Sequence, residues 1–325
     1  MQAKRGTKQT KQKAPERRPE TFSSLVHDYL QDKRAAGATP RTVNHYQEVL
    51  EQVLLPFCAE AGITGPADLA TRDLNDLGAG HLDGTRSRSG RAISKATVHS
   101  YMRAINGFLS WARAQGEGGE ARGRLPSMRK QVLDTLSREE IQRMEDAADS
   151  ERDKLIVRLL ADTGIRLGEL LALRPDDVRV EGGKNVIKVR GKGDRERLVP
   201  LSPGLARRLK RFADRARADA SSDRLFLTLR RGRGSGQLDA LTESAVEQMI
   251  RGLGDTAGIK KRVYPHLVRH SFATDYLRRG GNPILLQQIL GHSSLAMITQ
   301  TYQHLTFTDA HEELMRVLAA DNKYM

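Results

Sequence analysis

Apolar residues recur three and four positions apart along the first third of the chain, the spacing of helices with one buried face. Each predicted helix there follows a residue that favours an N-cap or a first turn: Thr21, Thr39-Pro40, Thr71 and Ser94. A glycine- and arginine-rich loop, residues 78–92, separates the third helix from the fourth. Four helices in about ninety residues predict a small helical bundle.

The period of the pattern changes after Pro175. Alternating apolar positions predict three short strands, joined by glycine-rich turns, at residues 178–181, 185–190 and 196–201. Helices lie on both sides of them in sequence, beginning with a capping box at Ser137 and Glu140 and returning at 203–219, 242–257 and 264–304. The sequence therefore predicts a mainly α fold with a small antiparallel β-sheet in its second half.

Two segments poor in apolar residues divide the chain. Residues 1–20 carry many lysines and arginines, which indicates a disordered basic arm. Residues 116–134 are rich in glycine and charge, which predicts a linker. We expect a helical N-terminal domain at 21–115 and an α+β domain at 135–325, whose last helix has an apolar face and little chain left to cover it.

Charge then points to a class of partner. The 325 residues include 54 Lys+Arg against 40 Asp+Glu, a net charge of +14 with a pI near 10.1. Such an excess predicts a polyanionic partner, with nucleic acid ahead of an anionic membrane surface. The sequence has no apolar run near the ~20 residues of a membrane span and no signal-peptide core at its N-terminus, so we expect a soluble, cytoplasmic protein without a membrane partner.

The single cysteine, Cys58, lies on the apolar rhythm of a helix, which favours a small core residue over a redox role. Structural zinc sites with thiolate ligands use about two to four cysteines, so the count excludes that class of site.

Residues able to bind and cleave a phosphodiester occur in two groups. Arg166 and Glu169 lie three apart in a predicted helix, where a guanidinium can hold a phosphate and a carboxylate can orient its neighbours. A surface ion pair is the plainer interpretation of the two residues. Lys192 lies in a tight turn between strands, where a lysine can reach a leaving oxygen, although most turn lysines are only solvated.

The second group lies between Tyr264 and His304. His266 and Arg269 share a helix face, and His266 and His270 also have the spacing of a zinc-binding helix. The segment lacks the glutamate of HExxH, and neighbouring arginines would repel a cation, so we do not expect a metal.

His292 follows a glycine in a predicted turn, and Tyr302 stands ten residues later. Each is ordinary when considered alone. A phenol with a pKa of about 10 needs a base or positive surroundings before it can act as a nucleophile.

The order of these pieces carries a resemblance. TGIRLGELLAL, GKGDRERLVPL, HLVRHSFAT and LGHSSLAMITQTY follow one another as do the arginine motif, lysine hairpin, HxxR helix and histidine-tyrosine segment of the tyrosine recombinase, or phage integrase, family. The chain resembles that family from about Thr21 onward, most closely its simple two-domain Xer-like and Cre-like members. Because its predicted helices begin near Thr21, we expect no additional arm-site domain.

The resemblance implies a role for each residue. Arg166 and Arg269 would clamp the scissile phosphate, His292 would hydrogen-bond a non-bridging oxygen, and Glu169 would be the supporting acid.

The remaining residues would move protons and form the covalent bond. Lys192 would protonate the departing 5′ oxygen, and His266 would assist proton movement at the tyrosine. Tyr302 would attack phosphorus to form a 3′-phosphotyrosyl link. The step from His292 to Tyr302 is one residue longer than the family spacing, which leaves the path of this segment open.

The implied function is site-specific recombination of double-stranded DNA in a tetramer, through a Holliday junction, beside the nucleoid, without cofactor or metal. A related recombinase could serve as a second partner. DNA integration or excision and the resolution of chromosome or plasmid dimers remain open as roles. Two alternatives are an architectural DNA-binding protein that keeps the fold without cleavage, and a metal-dependent nuclease. The expected DNA contacts in the N-terminal domain come from its basic residues: Arg41, Arg86, Arg88, Arg91 and Lys95.

Overall fold

The structure is a computed structural model of the whole chain. It describes residues 21–87, 90–128, 134–191, 195–215, 222–231, 236–291 and 315. The chain divides into two compact units, Met1–Gln131 and Val132–Met325, and the division lies inside the predicted linker. The mainly helical fold with one small antiparallel sheet is confirmed.

The first unit is helical throughout its regular elements. Its helices are α1 (Phe22–Ala35), α2 (Pro40–Val49), a π-helical turn (Leu50–Leu54), α3 (Leu55–Glu60), α4 (Thr71–Asp83) and α5 (Lys95–Ala114). Because α2, the π turn and α3 follow without a break, they form one helical rod, and the described part of the unit has the four rods that the sequence predicts. The hydroxyls of Thr21, Thr39 and Ser94 cap their helices by accepting the backbone N–H three residues on.

An aromatic cluster forms the centre of this bundle. The ring of Tyr29 lies 5.5 Å from the ring of Phe108, 5.5 Å from that of Trp111 and 5.6 Å from that of Tyr46, measured between centroids. Cys58 is buried in the same core, and burial, with a smaller contribution from Asp73, raises the pKa of its thiol to about 12. The prediction of a core cysteine is confirmed.

Helix α4 is longer than the sequence pattern suggests. It continues to Asp83, so the first part of the predicted loop 78–92 is helical and the turn begins at Gly84, whose φ is 90°. The sequence pattern did not show this extension, because the glycines within it lower helix propensity. Gly80 has a packing reason: a Cβ there would lie 2.7 Å from Cγ of Arg86.

The start of the predicted linker packs as part of the first unit. Asn106 on α5 donates to the carbonyl of Gly123 at 2.8 Å and accepts its N–H at 2.8 Å. Ala121 is buried in the core, and the N–H of Arg122 bonds to the hydroxyl of Thr71. The segment that packs against the first unit therefore extends past residue 116, where the sequence places the start of the linker.

The second unit contains helices on both sides, in sequence, of a three-stranded sheet. Its elements are α6 (Arg138–Asp146), α7 (Glu151–Thr163), α8 (Leu167–Ala172), a 3-10 turn (Pro175–Asp177), β1 (Val178–Glu181), β2 (Lys184–Arg190), β3 (Glu196–Pro200), α9 (Pro203–Arg215), α10 (Glu243–Thr256), α11 (Pro265–Arg278) and α12 (Pro283–Leu290). The strands pair antiparallel, as predicted, and their order in the sheet is β1-β2-β3. The capping box at Ser137 and Glu140 is also confirmed.

Helix α7 is the centre of the second core. Leu155, Ile156, Val157, Leu159 and Leu160 are all fully buried in it. The helix ends at Gly164, whose φ of 60° lets the chain turn into the arginine motif. A Cβ on Gly164 would collide with the ring of Phe272 on α11 and would lie 2.8 Å from Cδ2 of Leu290 on α12. These close approaches place the ends of α7, α11 and α12 together.

Helix α12 buries only part of its apolar surface. Ile284 and Leu285, on the first turn of α12, are 55% and 50% exposed, whereas Leu286 and Leu290 are buried. Consecutive residues of a helix point in different directions, so a run of apolar residues cannot all face one core. In the described residues, no helix combines the length and the apolar character that crossing a membrane requires.

Candidate phosphodiester site

Four of the seven predicted catalytic and supporting residues belong to the described structure, and they lie together. Arg166 and Glu169 come from the turn into α8, and His266 and Arg269 come from α11. Lys192, His292 and Tyr302 lie outside the described residues, so their roles stay predictions.

The C-terminal end of α12 is where the arginines meet. Arg166 donates from one terminal nitrogen to the carbonyl of Leu290 at 3.3 Å and from the other to that of Gly291 at 3.2 Å. Arg269 donates to the carbonyl of Leu290 at 3.0 Å, and Arg197 donates from Nε to that of Ile289 at 2.7 Å. The last carbonyls of a helix have no partner within it and form the negative end of its dipole, so they favour cations.

Arg166 is the N-cap of α8 and has extended backbone angles, φ −73° and ψ 152°. The sequence predicts Arg166 and Glu169 on one face of a helix; instead, the arginine precedes the helix and the glutamate occupies its first turn. Glu169 accepts the backbone N–H of Arg166 at 2.8 Å and a guanidinium nitrogen at 3.0 Å. The pair is thus a helix cap as well as an ion pair, and the Arg166 side chain keeps 40% exposure.

Arg269 is held more tightly. Its side chain is buried, and it donates to the carbonyl of Gly164 at the end of α7 as well as to that of Leu290. Because Gly164 has no Cβ, the chain end approaches α11 closely enough for this bond. Arg269 therefore ties the ends of α7 and α12 to α11.

Glu169 is the acid at the centre of the cluster. It is only 4% exposed, and Arg197 grips it with two parallel hydrogen bonds of 2.8 Å each. Burial alone would raise the pKa of Glu169, yet the bonds from Arg197 and from the backbone of Arg166 hold that pKa below its ordinary value. The carboxylate is therefore charged at neutral pH.

The charge balance of the cluster suits an anion. The guanidiniums of Arg166 and Arg197 bond to the carboxylate of Glu169, and those of Arg166, Arg197 and Arg269 also bond to neutral carbonyls. Because a carbonyl orients a guanidinium without cancelling its charge, the cluster keeps an excess of positive charge beside the exposed Arg166. A phosphodiester is one anion that such paired donors fit.

His266 lies at the edge of this charge. Its side chain reaches the surface, but partial burial first, and then the charges of Arg269 and Arg166, lower its pKa below the ordinary value. His266 is therefore neutral at pH 7 and able to accept a proton. The same guanidiniums would repel a metal cation at this helix. Their charge therefore disfavours a zinc site at His266 and His270.

Arg197 is the functional residue that the sequence analysis missed. It stands on β3 in the same motif as Lys192, and its neighbour two residues on, Val199, is buried. Residues two apart on a strand face the same side, so a charged residue alternating with a buried valine had to find a buried partner. That signal was present in the sequence.

The first unit carries a separate basic surface. A groove between α2 and α5 is lined by Arg41, His45, Ser100 and Arg103, and the ring of His45 bonds to the hydroxyl of Ser100 at 3.0 Å. Arg91 and Lys95, before and at the start of α5, are exposed. These positions suit contacts to DNA phosphates, while Arg88 lies outside the described residues.

Arg86 differs from the other predicted DNA contacts. Its guanidinium lies 4.5 Å from the ring centroid of Phe57 and 3.2 Å from the carboxylate of Glu60. Arg86 therefore fastens the loop to α3 by these two contacts. We expect loss of the Arg86 side chain to reduce stability more than DNA binding.

The chain is similar in sequence to known proteins. Residues 134–309 match the Phage integrase family. Tyrosine recombinase XerA of Pyrococcus furiosus is 33% identical over 303 residues, which cover 92% of this chain and 96% of the relative. Tyrosine recombinase XerA of Saccharolobus solfataricus is 28% identical over 310 residues, covering 94% of this chain and 96% of that protein.

A solved structure shows the same fold. The XerH site-specific recombinase, crystallised with its difH substrate in a pre-cleavage complex, superposes with a TM-score of 0.65 at 24% identity. The match covers 86% of this chain and 81% of that chain.

The chain belongs to the phage integrase family of tyrosine recombinases. It is a site-specific DNA recombinase, an enzyme that breaks and rejoins DNA strands, as the order of its motifs predicts.

The buried carboxylate gives a stability prediction. Because the folded-state pKa of Glu169 is depressed, its contribution to stability is present above the unfolded pKa of about 4.3 and is lost as pH falls through the folded value. Replacing Glu169 by Gln should lower the free energy of unfolding by about 2–3 kcal/mol at pH 7, with the gap narrowing below about pH 4.

Denaturation followed by circular dichroism across pH measures that gap. The matched control is Glu181→Gln, which removes a half-exposed carboxylate paired with Arg179 and should change stability by less than about 0.5 kcal/mol. A gap that stays constant down to pH 3 would contradict the assigned ionisation of Glu169.

The basic surface gives a binding prediction. Each lysine or arginine that contacts a phosphate adds about one unit to the slope of log affinity against log salt concentration. The double change Arg91→Ala and Lys95→Ala should therefore reduce the slope by about two on any duplex. Arg86→Ala, the contrasting variant, should leave the slope unchanged and lower the melting temperature. An unaltered slope in the double variant would remove these residues from the DNA.

Proposed function

We propose that Arg166 and Arg269 bind the scissile phosphate of a DNA recombination site, and that Tyr302 attacks it. The observation that carries the proposal is the convergence of the guanidiniums on the carbonyls of Leu290 and Gly291. Those residues directly precede His292 in the sequence. The phosphate-binding charge is thus held against the chain segment that leads to the predicted histidine and nucleophile.

The cleavage step balances without an added cofactor. The phenol oxygen of Tyr302 forms a bond to phosphorus while the bond to the 5′ oxygen of the next nucleotide breaks. The phenol proton passes to neutral His266, and Lys192 gives a proton to the departing oxygen. His292 donates a hydrogen bond to a non-bridging oxygen, where charge builds alongside the guanidiniums.

The reverse of this step rejoins strands. A 5′ hydroxyl of another strand attacks the 3′-phosphotyrosyl link and displaces the tyrosine. Because one bond is exchanged for a similar bond at each stage, the energy of the phosphodiester is conserved and no nucleotide triphosphate is needed.

The stoichiometry follows from the chemistry. Recombination of two duplexes breaks four strands, and each chain supplies one nucleophilic tyrosine. We therefore propose four chains on two DNA sites, with a four-way junction after the first pair of exchanges.

Covalent capture tests the proposal. The full-length chain is mixed with sheared DNA of its source organism, and protein-linked fragments are isolated under denaturing conditions and sequenced. A duplex oligonucleotide carrying the recovered sequence, nicked so that the cleaved end diffuses away, then serves as the substrate. The wild-type chain should accumulate a covalent adduct, and Tyr302→Phe should form none.

The matched control is Tyr264→Phe, which removes the hydroxyl of a surface tyrosine at the start of α11 and should react like wild type. The adduct should also form in excess EDTA. Binding without an adduct would favour the architectural alternative, and cleavage abolished by EDTA would favour a metal-dependent nuclease.

A further inference from the structure

We propose that Arg197 is a positioning residue that couples the β2–β3 hairpin to the end of α12, and thereby aligns the general acid with the phosphate clamp. The inference rests on the proposed function of Lys192 and His292. Arg197 itself touches no substrate in this scheme; it acts through Glu169 and through the backbone of α12.

The contacts of Arg197 join three separate segments. The side chain grows from β3, where Arg197 lies opposite Val189 of β2 in the antiparallel register. Two terminal nitrogens bond to Glu169 on α8, and Nε bonds to the carbonyl of Ile289 on α12. All three nitrogens of the guanidinium are therefore engaged, each on a different oxygen.

Each segment leads to a predicted catalytic residue. Arg197 lies five positions after Lys192 on the far side of the hairpin turn, and Ile289 lies three positions before His292. Glu169 caps the backbone of Arg166 and bonds to its guanidinium. A displacement of Arg197 would thus reach the acid, the clamp and the histidine segment together.

The packing around the guanidinium allows little freedom. Its side chain is 15% exposed, and a Cβ on Gly291 would lie 2.9 Å from one of its nitrogens. On the hairpin side, a Cβ on Gly191 would lie 3.7 Å from Oε1 of Glu169 and 4.0 Å from a nitrogen of Arg197. Gly291, which has no Cβ, lets the end of α12 approach the guanidinium closely, and the hairpin backbone at Gly191 lies near the same group.

Arg197 also limits how strongly the carboxylate of Glu169 can attract the guanidinium of Arg166. Arg197 donates one hydrogen bond to each of the two carboxylate oxygens of Glu169. Without Arg197, the only other guanidinium bonded to Glu169 in the described residues is that of Arg166. We therefore expect Arg166 to turn toward the carboxylate and away from the phosphate when Arg197 is removed.

The test compares Arg197→Ala with Arg158→Ala in the full-length chain on the nicked oligonucleotide described above. Arg158 also places its guanidinium on a buried carboxylate, Glu145, but within the described part of the chain it bonds to α6 and pairs with Asp162 of α7, not with α12. Three quantities are measured: the single-turnover rate of adduct formation, the dissociation constant for the DNA, and the melting temperature.

Arg197→Ala should form the adduct on the order of 100-fold more slowly, with DNA affinity within about twofold of wild type, because a displacement of about 1 Å in a catalytic group has this effect on rate. Added guanidinium ion should restore part of the rate, since it can refill the site between Glu169 and Ile289. Arg158→Ala should lose stability but cleave at the wild-type rate, and guanidinium should not accelerate it.

A substrate with sulfur in place of the bridging 5′ oxygen adds a chemical readout. A thiolate leaves without a proton, so correct placement of Lys192 no longer matters. The gap between Arg197→Ala and wild type should shrink on this substrate. A merely structural defect would leave the gap unchanged, and that result would overturn the coupling of Arg197 to the hairpin.

Arg197→Lys covers the case in which the alanine variant does not fold. Lysine keeps the charge but cannot span both carboxylate oxygens and the carbonyl, so this variant should melt near wild type and cleave at least about tenfold more slowly. A wild-type rate in either variant overturns the inference. If wild type itself forms no adduct, the proposed function fails instead, and the two failures are distinguished.

Discussion

The end of helix α12 is the feature on which the second unit depends. Its last carbonyls have no partners in the helix, and three arginines from three other segments donate to them. Like charges repel, so a group of guanidiniums needs compensation to stay together. Here one carboxylate, Glu169, offsets part of that charge, and the neutral carbonyls hold the guanidiniums in place through hydrogen bonds. This division gives the arginines fixed positions and leaves net positive charge for a phosphate.

Several local features follow from that constraint. Gly164 and Gly291 have positive φ angles, and a side chain on either would collide with the residues that meet there. Glu169 stays ionised although it is buried, because Arg197 and the backbone of Arg166 bond to it. His266 stays neutral because partial burial and the neighbouring guanidiniums disfavour its protonated form. A base and a cationic clamp thus coexist a few side chains apart.

The sequence predicted much of this arrangement because its signals are local. Helix caps at Thr21, Thr39 and Ser94, the three short strands and the turn residues between them each follow from a few neighbouring residues. The identity of the site followed from the order of motifs along the chain. The presence of His266 and Arg269 on one helix with Arg166 nearby agrees with that order.

Other features depend on tertiary contacts that local patterns do not contain. Helix α4 continues through Gly78 and Gly80 because neighbouring side chains pack over them, and Arg86 turns back onto Phe57. The segment near Gly123 looked like a linker by composition, yet Asn106 fastens it to α5. Arg197 belongs to this group as well: its alternation with Val199 indicated a buried partner, but only the fold shows that the partner is Glu169.

In the proposed function, the scissile phosphate binds against the guanidiniums beside His266. The most direct measurement is the pKa of His266, followed by NMR in the histidine-labelled Tyr302→Phe chain, first alone and then with its recombination site bound. A phosphate bound to the arginines offsets their positive charge. We therefore expect the pKa of His266 to be depressed in the free chain and to rise when the DNA binds. A pKa that stays at its free-chain value in the complex would contradict it.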